Sequence, residues 1–155
     1  MQIMSIDPSI TTIGIARLDG RRLVSSNTFR TDPKDTLIDR LREISVYFRA
    51  MKYKGDLVLI ELPDSFMRMG DYSVRNARSI QLLMLAIGVI TASLIDRNKI
   101  EFVGVREWKG QADKRVTQMI AEQECGKKLN NHEADAYVMA LRWKTVLKFK
   151  KLVRE

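Results

Sequence analysis

The chain has 155 residues, of which 45% are hydrophobic and 30% charged, so it has the length and composition of a single globular domain. This composition excludes a disordered or fibrous protein. Its 27 Lys and Arg residues against 19 Asp and Glu residues give a formal net charge of +8, which favours a polyanionic partner.

Three sequence features bear on where the protein works. The single cysteine, Cys125, excludes an internal disulfide framework and a cysteine-rich zinc module, and it suits a reducing compartment. Asp7 and Pro8 interrupt the first apolar stretch, which therefore does not resemble a signal peptide. The longest apolar run, residues 80–95, has 16 residues against the roughly 20 needed to span a bilayer. We expect a cytoplasmic protein without membrane contact.

The first thirty residues predict three strands joined in an antiparallel meander. Residues 2–7 form a short apolar run that stops at Pro8, and residues 11–18 are rich in β-branched side chains. An Asp-Gly pair at residues 19–20 is a strong hairpin-turn signal before a third strand at residues 22–30.

The rest of the chain alternates helices with two further strands. Asp32 is the expected N-cap of the first helix, and the last helix starts at Asn130 or Asn131, with Glu133 as a capping partner of Asn130. The order β-β-β-α-β-α-β-α-α predicts an α/β fold with a mixed five-stranded sheet covered by helices, in one domain over residues 1–155. The predicted segments after the first helix are a buried strand at 57–62, a long helix at 73–97, a strand at 100–105, a helix at 113–124 C-capped by Gly126, and a final helix to about residue 150.

Three acids lie in or beside apolar segments that a fold would bury. Asp7 ends a hydrophobic strand, Glu61 interrupts another, and Asp135 is near the start of the last helix. A buried carboxylate costs several kcal/mol unless it is paired or bound to a cation. Taken singly, each acid has a structural alternative: a turn cap, an exposed strand end, or a partner of the helix dipole.

His132 adds an imidazole to this set. It precedes Asp135 by three residues, so the two side chains share one helical face. A lone His in a first turn is most often a capping or surface residue. Together with Asp7 and Glu61, however, the pair forms a plausible ligand set for divalent cations. Carboxylates suit Mg²⁺ and Mn²⁺, and the imidazole tilts the preference toward Mn²⁺.

Three segments resemble the RuvC-type Holliday junction resolvases, which have a ribonuclease-H-like fold. Residues 4–16, Met-Ser-Ile-Asp-Pro-Ser-Ile-Thr-Thr-Ile-Gly-Ile-Ala, are similar to the first strand pair of that family. Residues 58–61, Val-Leu-Ile-Glu, resemble its second acidic strand, and residues 131–141, Asn-His-Glu-Ala-Asp-Ala-Tyr-Val-Met-Ala-Leu, resemble its C-terminal helix. The segments occur in the family's order and span nearly the whole chain. Ser9 replaces the family's usual Gly, which indicates a divergent member such as one from a phage.

This resemblance implies a homodimeric endonuclease that nicks two strands of a four-way DNA junction with the help of two Mg²⁺ or Mn²⁺ ions. Lys109 and Lys114 fall where the family places basic residues beside the scissile phosphate; the alternative is a solvated basic loop. The metal ligands carried over by position are Asp7, Glu61, His132 and Asp135.

Further residues are candidates for DNA contact and for assembly. Phe66 either stacks on bases at the junction centre or anchors its loop to the core. The helix at 73–97 is apolar well beyond one stripe, which indicates either a homodimer interface or a fully buried helix; we favour the interface. Basic residues that flank the loop after Glu61 and add phosphate contacts are Arg68, Arg75 and Arg78.

Other functional classes share some of these sequence features. Actin-like ATPases and sugar kinases share an acid and hairpin like residues 7–16, but they need two such domains, which 155 residues cannot supply. A ribonuclease-H-like nuclease acting on forks, flaps or RNA-containing hybrids stays open. A non-catalytic, basic DNA-binding protein is the third alternative. The expected location is the cytoplasm of a bacterium or of a phage-infected host.

Overall fold

The computed structural model of the chain describes residues 1–63, 74–110 and 112–152, with side chains described except at 74–76 and 144–152. The predictions for Phe66, Arg68 and the side chain of Arg75 lie outside these residues. The elements are β1 Gln2–Asp7, β2 Thr12–Asp19, β3 Arg22–Arg30, α1 Leu37–Ala50, β4 Leu57–Leu62, α2 Val74–Leu94, β5 Ile100–Gly104, α3 Val105–Trp108, α4 Lys114–Cys125 and α5 Asn131–Leu152.

The five strands form one mixed sheet in the order β3-β2-β1-β4-β5. The meander β1-β2-β3 is antiparallel, whereas β4 runs parallel to β1 and β5 runs parallel to β4. Gly20 lies in the turn between β2 and β3 with a φ of 63°, a left-handed conformation that glycine adopts without strain. The predicted α/β fold with a mixed five-stranded sheet is confirmed, and β1 is its central strand.

Helices cover both faces of the sheet, which explains why the central strands read as continuous apolar runs. On one face, Met4 and Ile60 pack with Phe48 of α1 and Ile90 of α2. On the other face, Ile3, Leu59 and Val103 pack with α5 and with Trp108 and Trp143. Packing on both faces therefore fixes the backbone at the strand ends, where the acids are attached.

The helix ends follow capping chemistry with one departure from the prediction. The first helix is capped by Thr36, whose Oγ1 accepts a hydrogen bond from the Asp39 amide at 3.2 Å. Asp32 is not its N-cap; its carboxylate accepts from the Lys34 amide in a preceding turn. The prediction for Asp32 was wrong because both positions carry a capping residue ahead of the same apolar pattern. The predicted caps at Gly126 and at Asn130 with Glu133 are confirmed.

Helix α2 is the most apolar of the long helices α1, α2, α4 and α5. By length and composition alone, Ala77–Leu94 would be enough to cross a membrane. Its Ile87, Ile90 and Leu94 side chains are nevertheless buried against α1 and the sheet, as in the core helix of a globular domain. The other side of α2 leaves Leu85, Gly88 and Ala92 exposed.

Candidate active site

The candidate site lies at one edge of the sheet, where β1 and β4 end. Because these neighbouring strands are parallel, with Ile6 opposite Ile60, their final acids Asp7 and Glu61 emerge at the same edge. Parallel strands commonly place functional residues at their carboxyl ends in this way. Helix α5 begins beside the same edge and contributes His132 and Asp135 from its first turns.

Gly14 allows α5 to approach this edge closely. It pairs with Asp7 across the β1–β2 hairpin. A Cβ atom on Gly14 would overlap the carbonyl oxygen of His132, so any larger residue would push the start of α5 away from the sheet. This requirement was not predicted, because it depends on a contact between residues more than a hundred positions apart.

Asp7 and His132 form a hydrogen-bonded ion pair. The distance from His132 Nδ1 to Asp7 Oδ2 is 2.7 Å, and the Asp7 side chain is only 13% exposed. Burial raises the pKa of Asp7 above its ordinary value, although the hydrogen bond and charge of His132 oppose this effect. The hydrogen bond from Asp7 raises the pKa of His132, so the imidazole is held toward its protonated form.

Glu61, at the end of β4, is strongly perturbed by its surroundings. Burial, followed by repulsion from Asp7 and Asp135, raises its pKa to about 8. The indole Nε1–H of Trp108 donates to Glu61 Oε2 at 2.9 Å and acts in the opposite direction. The mutual repulsion of the three carboxylates identifies them as electrostatic neighbours.

Asp135 is paired with one of the two predicted lysines. Lys109 Nζ lies 2.6 Å from Asp135 Oδ2, and both side chains are mostly buried. The same ammonium lies 5.3 Å from the ring centroid of Trp108, a distance that permits a cation–π interaction. Lys114, the first residue of α4, is exposed, and its charge opposes protonation of His132. Arg78 is also exposed, on α2.

Two features of the site bear on its fit to a divalent cation. Among the side chains described at residues 1–63, 77–110 and 112–143, no group of three or more Asp, Glu, His or Cys residues converges as a closed cluster of metal ligands. His132 and Lys109 are instead the cationic partners of Asp7 and Asp135. The donor set still suits a hard cation, because three neighbouring, mostly buried carboxylates and an imidazole gain from added positive charge.

The structure thus brings together five of the six residues for which catalysis was predicted, and it leaves Lys114 exposed nearby. It also reveals a residue that was not predicted for the site. Trp108 precedes Lys109 directly and contacts Glu61, which lies 47 residues away in the chain. A buried indole must find an acceptor for its N–H group, but the sequence contains no local signal that names the acceptor.

Comparison with known proteins gives the class of the fold. No protein-family profile matches the chain, and no curated protein matches it in sequence. Two solved structures resemble it over nearly its whole length. Thermus thermophilus RuvC in complex with a Holliday junction substrate matches with a TM-score of 0.74 and 19% identity, over 91% of this chain and 90% of that one. Another Thermus thermophilus RuvC structure matches with a TM-score of 0.73 and 19% identity, over 97% of both chains.

The chain therefore has the RuvC-type, ribonuclease-H-like fold, as its three motifs predicted. An identity of 19% agrees with the prediction of a divergent sequence. At this identity the likeness concerns the fold, and the roles of individual site residues stay predictions.

Proposed function

We propose that this protein is a divalent-metal-dependent endonuclease that resolves four-way DNA junctions by paired nicks. The observation that carries the proposal is the meeting of Asp7, Glu61 and Asp135 at one sheet edge, each from a different element. Asp135 raises the pKa of Asp7, and both of these acids raise the pKa of Glu61. Asp7 and Asp135 have cationic partners in His132 and Lys109, but three acids this close are costly unless a further cation offsets the charge of Glu61. We place its activity in the cytoplasm of a bacterium or of a phage-infected host.

The cofactor we propose is Mg²⁺ or Mn²⁺, in a two-metal site. When bound, the ions would supply Lewis acidity that activates the attacking water and neutralises charge on the leaving oxygen. Asp7 lies on the central strand between Glu61 and α5, so it is the natural ligand to be shared between two ions. The other ligands we propose are Glu61, His132 and Asp135.

The lysines have a separate task in this proposal. Lys109 is held at the acidic edge by Asp135 and by the face of the Trp108 ring, so its charge stays close to the site. A fixed ammonium there would offset negative charge that develops on the scissile phosphate. Lys114 is more exposed and would meet the DNA backbone from the start of α4.

Branched DNA is the substrate that the comparisons favour. One of the similar structures named above is a RuvC bound to a Holliday junction. The net charge of +8 provides the nonspecific attraction to phosphates that any such nuclease requires. Arg78 is exposed on α2 and available for a phosphate contact. The contributions of Phe66, Arg68 and Arg75 to DNA binding remain predictions.

A homodimer would supply the two cuts that junction resolution requires, and the exposed side of α2 supports this part of the proposal. Leu85 is 46% exposed and Ile95, just beyond the helix, is 57% exposed. Gly88 and Ala92 lie between them on the same stripe, with open space beside Gly88. Large apolar side chains around small residues would let a second α2 approach closely and bury this stripe.

A substrate panel tests the proposed function. Labelled four-way, forked, flapped, duplex and RNA–DNA hybrid substrates are incubated with the protein and either Mg²⁺ or Mn²⁺. We expect paired, symmetric cuts in the four-way junction, loss of cutting in Asp7→Asn, and normal cutting in Asp19→Asn, a matched change at an exposed acid outside the site.

Other outcomes of the panel would replace the proposal. Preferential cutting of forks, flaps or hybrids would point to another ribonuclease-H-like nuclease. Tight binding to junctions with no cutting of any substrate in either metal would indicate a non-catalytic DNA-binding protein. Undiminished cutting by Asp7→Asn would refute the assignment of the site.

A further inference from the structure

The four-residue helix α3 places a tryptophan directly against one of the proposed metal ligands. It follows β5, which runs beside β4, so its last residue, Trp108, reaches the edge where Glu61 emerges. The Trp108 side chain is 3% exposed, and its Nε1–H donates to Glu61 Oε2 at 2.9 Å. The donor is therefore a rigid, buried ring and not a flexible surface chain.

Trp108 is fixed from its backbone as well as from its ring. Its carbonyl oxygen accepts a hydrogen bond from Arg142 Nη1 of α5 at 2.9 Å. At the start of α3, the Gly104 amide donates to Glu107 Oε2 at 2.9 Å and closes the helical turn. Ring packing against the core and two anchored ends of one helical turn leave the indole little freedom to rotate.

The two carboxylate oxygens of Glu61 therefore differ in their hydrogen bonding. Oε2 accepts from Trp108, whereas Oε1 accepts no hydrogen bond from the residues that the structure describes. A Glu side chain has three rotatable bonds and many rotamers. A hydrogen bond from a fixed donor restricts it to the few rotamers that keep the bond. The remaining oxygen is then presented in one orientation.

We propose that Trp108 is a positioning residue for the metal site: it holds Glu61 so that its free oxygen is available to Mg²⁺ or Mn²⁺. This inference rests on the proposed function, because it presupposes that Glu61 is a ligand. Partners behind a metal ligand commonly contribute about 10–100-fold to metal affinity. Trp108 itself touches neither DNA nor metal in this role.

The second tryptophan of the chain is a matched control. Trp143 is 8% exposed, and its Nε1–H donates to Glu101 Oε2 at 3.1 Å, so it has the same chemistry and similar burial. Glu101 is not one of the proposed ligands and forms an ion pair with Lys99. Replacing either tryptophan removes a large buried ring and an N–H donor to a glutamate. Only the Trp108 replacement should affect the metal.

The test compares Trp108→Phe with Trp143→Phe in binding of Mn²⁺, measured by calorimetry without DNA. We expect Trp108→Phe to bind Mn²⁺ about tenfold more weakly or worse, and Trp143→Phe to bind within about twofold of the wild type. Fluorescence gives an independent readout, because each variant keeps one indole. Paramagnetic Mn²⁺ should quench Trp108 in the Trp143→Phe protein and leave Trp143 in the Trp108→Phe protein unquenched.

The outcomes separate this proposal from the one on which it rests. If the wild type binds no Mn²⁺, the metal-dependent function fails and the role of Trp108 fails with it. If the wild type binds Mn²⁺ and Trp108→Phe binds it equally well, or both variants weaken it equally, only the positioning role fails. Should Trp108→Phe not fold, the Trp143→Phe protein decides alone: unchanged fluorescence at saturating Mn²⁺ overturns the proposal.

Discussion

Replacing Glu61 by Gln should stabilise the protein when no divalent cation is present, although the same change should abolish cleavage. Burial and the charges of Asp7 and Asp135 raise the pKa of Glu61 to about 8, from an ordinary value of 4.5. A glutamine keeps an oxygen to accept from the Trp108 indole, but it carries no charge to repel its neighbours. The acid is therefore retained at a cost to stability that a glutamine avoids.

The sign of the effect follows from proton binding. The pKa of Glu61 is higher in the folded protein than in the unfolded chain, so the folded protein holds a proton that the unfolded chain releases. Stability from this group is complete below about pH 4.5 and falls as the pH rises toward 8. At pH 7 the loss is about 3 kcal/mol, or roughly 6–12 °C in Tm for a chain of this size.

Thermal unfolding in EDTA at pH 4.5 and pH 8 measures the effect. We expect Glu61→Gln to be more stable than the wild type at pH 8, with the difference shrinking toward zero at pH 4.5. Added Mg²⁺ should stabilise the wild type more than the variant, because the ion then offsets the carboxylate charge. Glu101→Gln is the control, because Glu101 also accepts from a tryptophan but is paired with Lys99. A variant no more stable than the wild type at pH 8 would refute the reasoning.

Three other changes probe the site and the proposed interface. Asp7→Asn should cut junctions at less than about a hundredth of the wild-type rate and still bind them in a gel-shift assay, because phosphate affinity comes from Lys and Arg. Retained cutting would refute the assignment of Asp7 as a metal ligand. Gly14→Ala should lose about 1–3 kcal/mol in urea unfolding because its Cβ overlaps the start of α5. Unchanged stability of this variant would contradict the contact. Leu85→Glu should remain folded, sediment as a monomer and nick a plasmid cruciform without paired cuts. The control Ile87→Glu places a charge in the core and should unfold. A dimeric Leu85→Glu protein would exclude this face of α2 as the dimer interface.

The order of strands and helices along the chain could be predicted because its signals are local. Continuous apolar runs indicate buried strands, and the Asp-Gly turn at residues 19–20 joins the second strand to the third. Once β1 and β4 are neighbours and parallel, Asp7 and Glu61 must share an edge. The pairing of His132 with the strand acids required the resemblance as well, because a first-turn histidine alone has several roles.

The face of α2 and the role of Trp108 could not be predicted, for two physical reasons. Helix α2 is apolar nearly all round, so periodicity does not distinguish exposed Leu85 from buried Ile87. The Trp108–Glu61 hydrogen bond joins the end of α3 to the end of β4, which is distant in sequence. No short sequence pattern encodes such a partner. The helix that carries Trp108 has only four residues, too few for an apolar repeat to appear.

The close approach at Gly14 has a consequence for how the protein is made. Helix α5 packs on β1 and β2, which are synthesised well before it, and its start rests on Gly14. The contact spans most of the sequence, so it forms late and depends on long-range closure of the chain. A nascent chain that has reached only residue 125 already carries Asp7 and Glu61 but has no Asp135. The complete acidic edge therefore arises only when the last helix has been synthesised and docked.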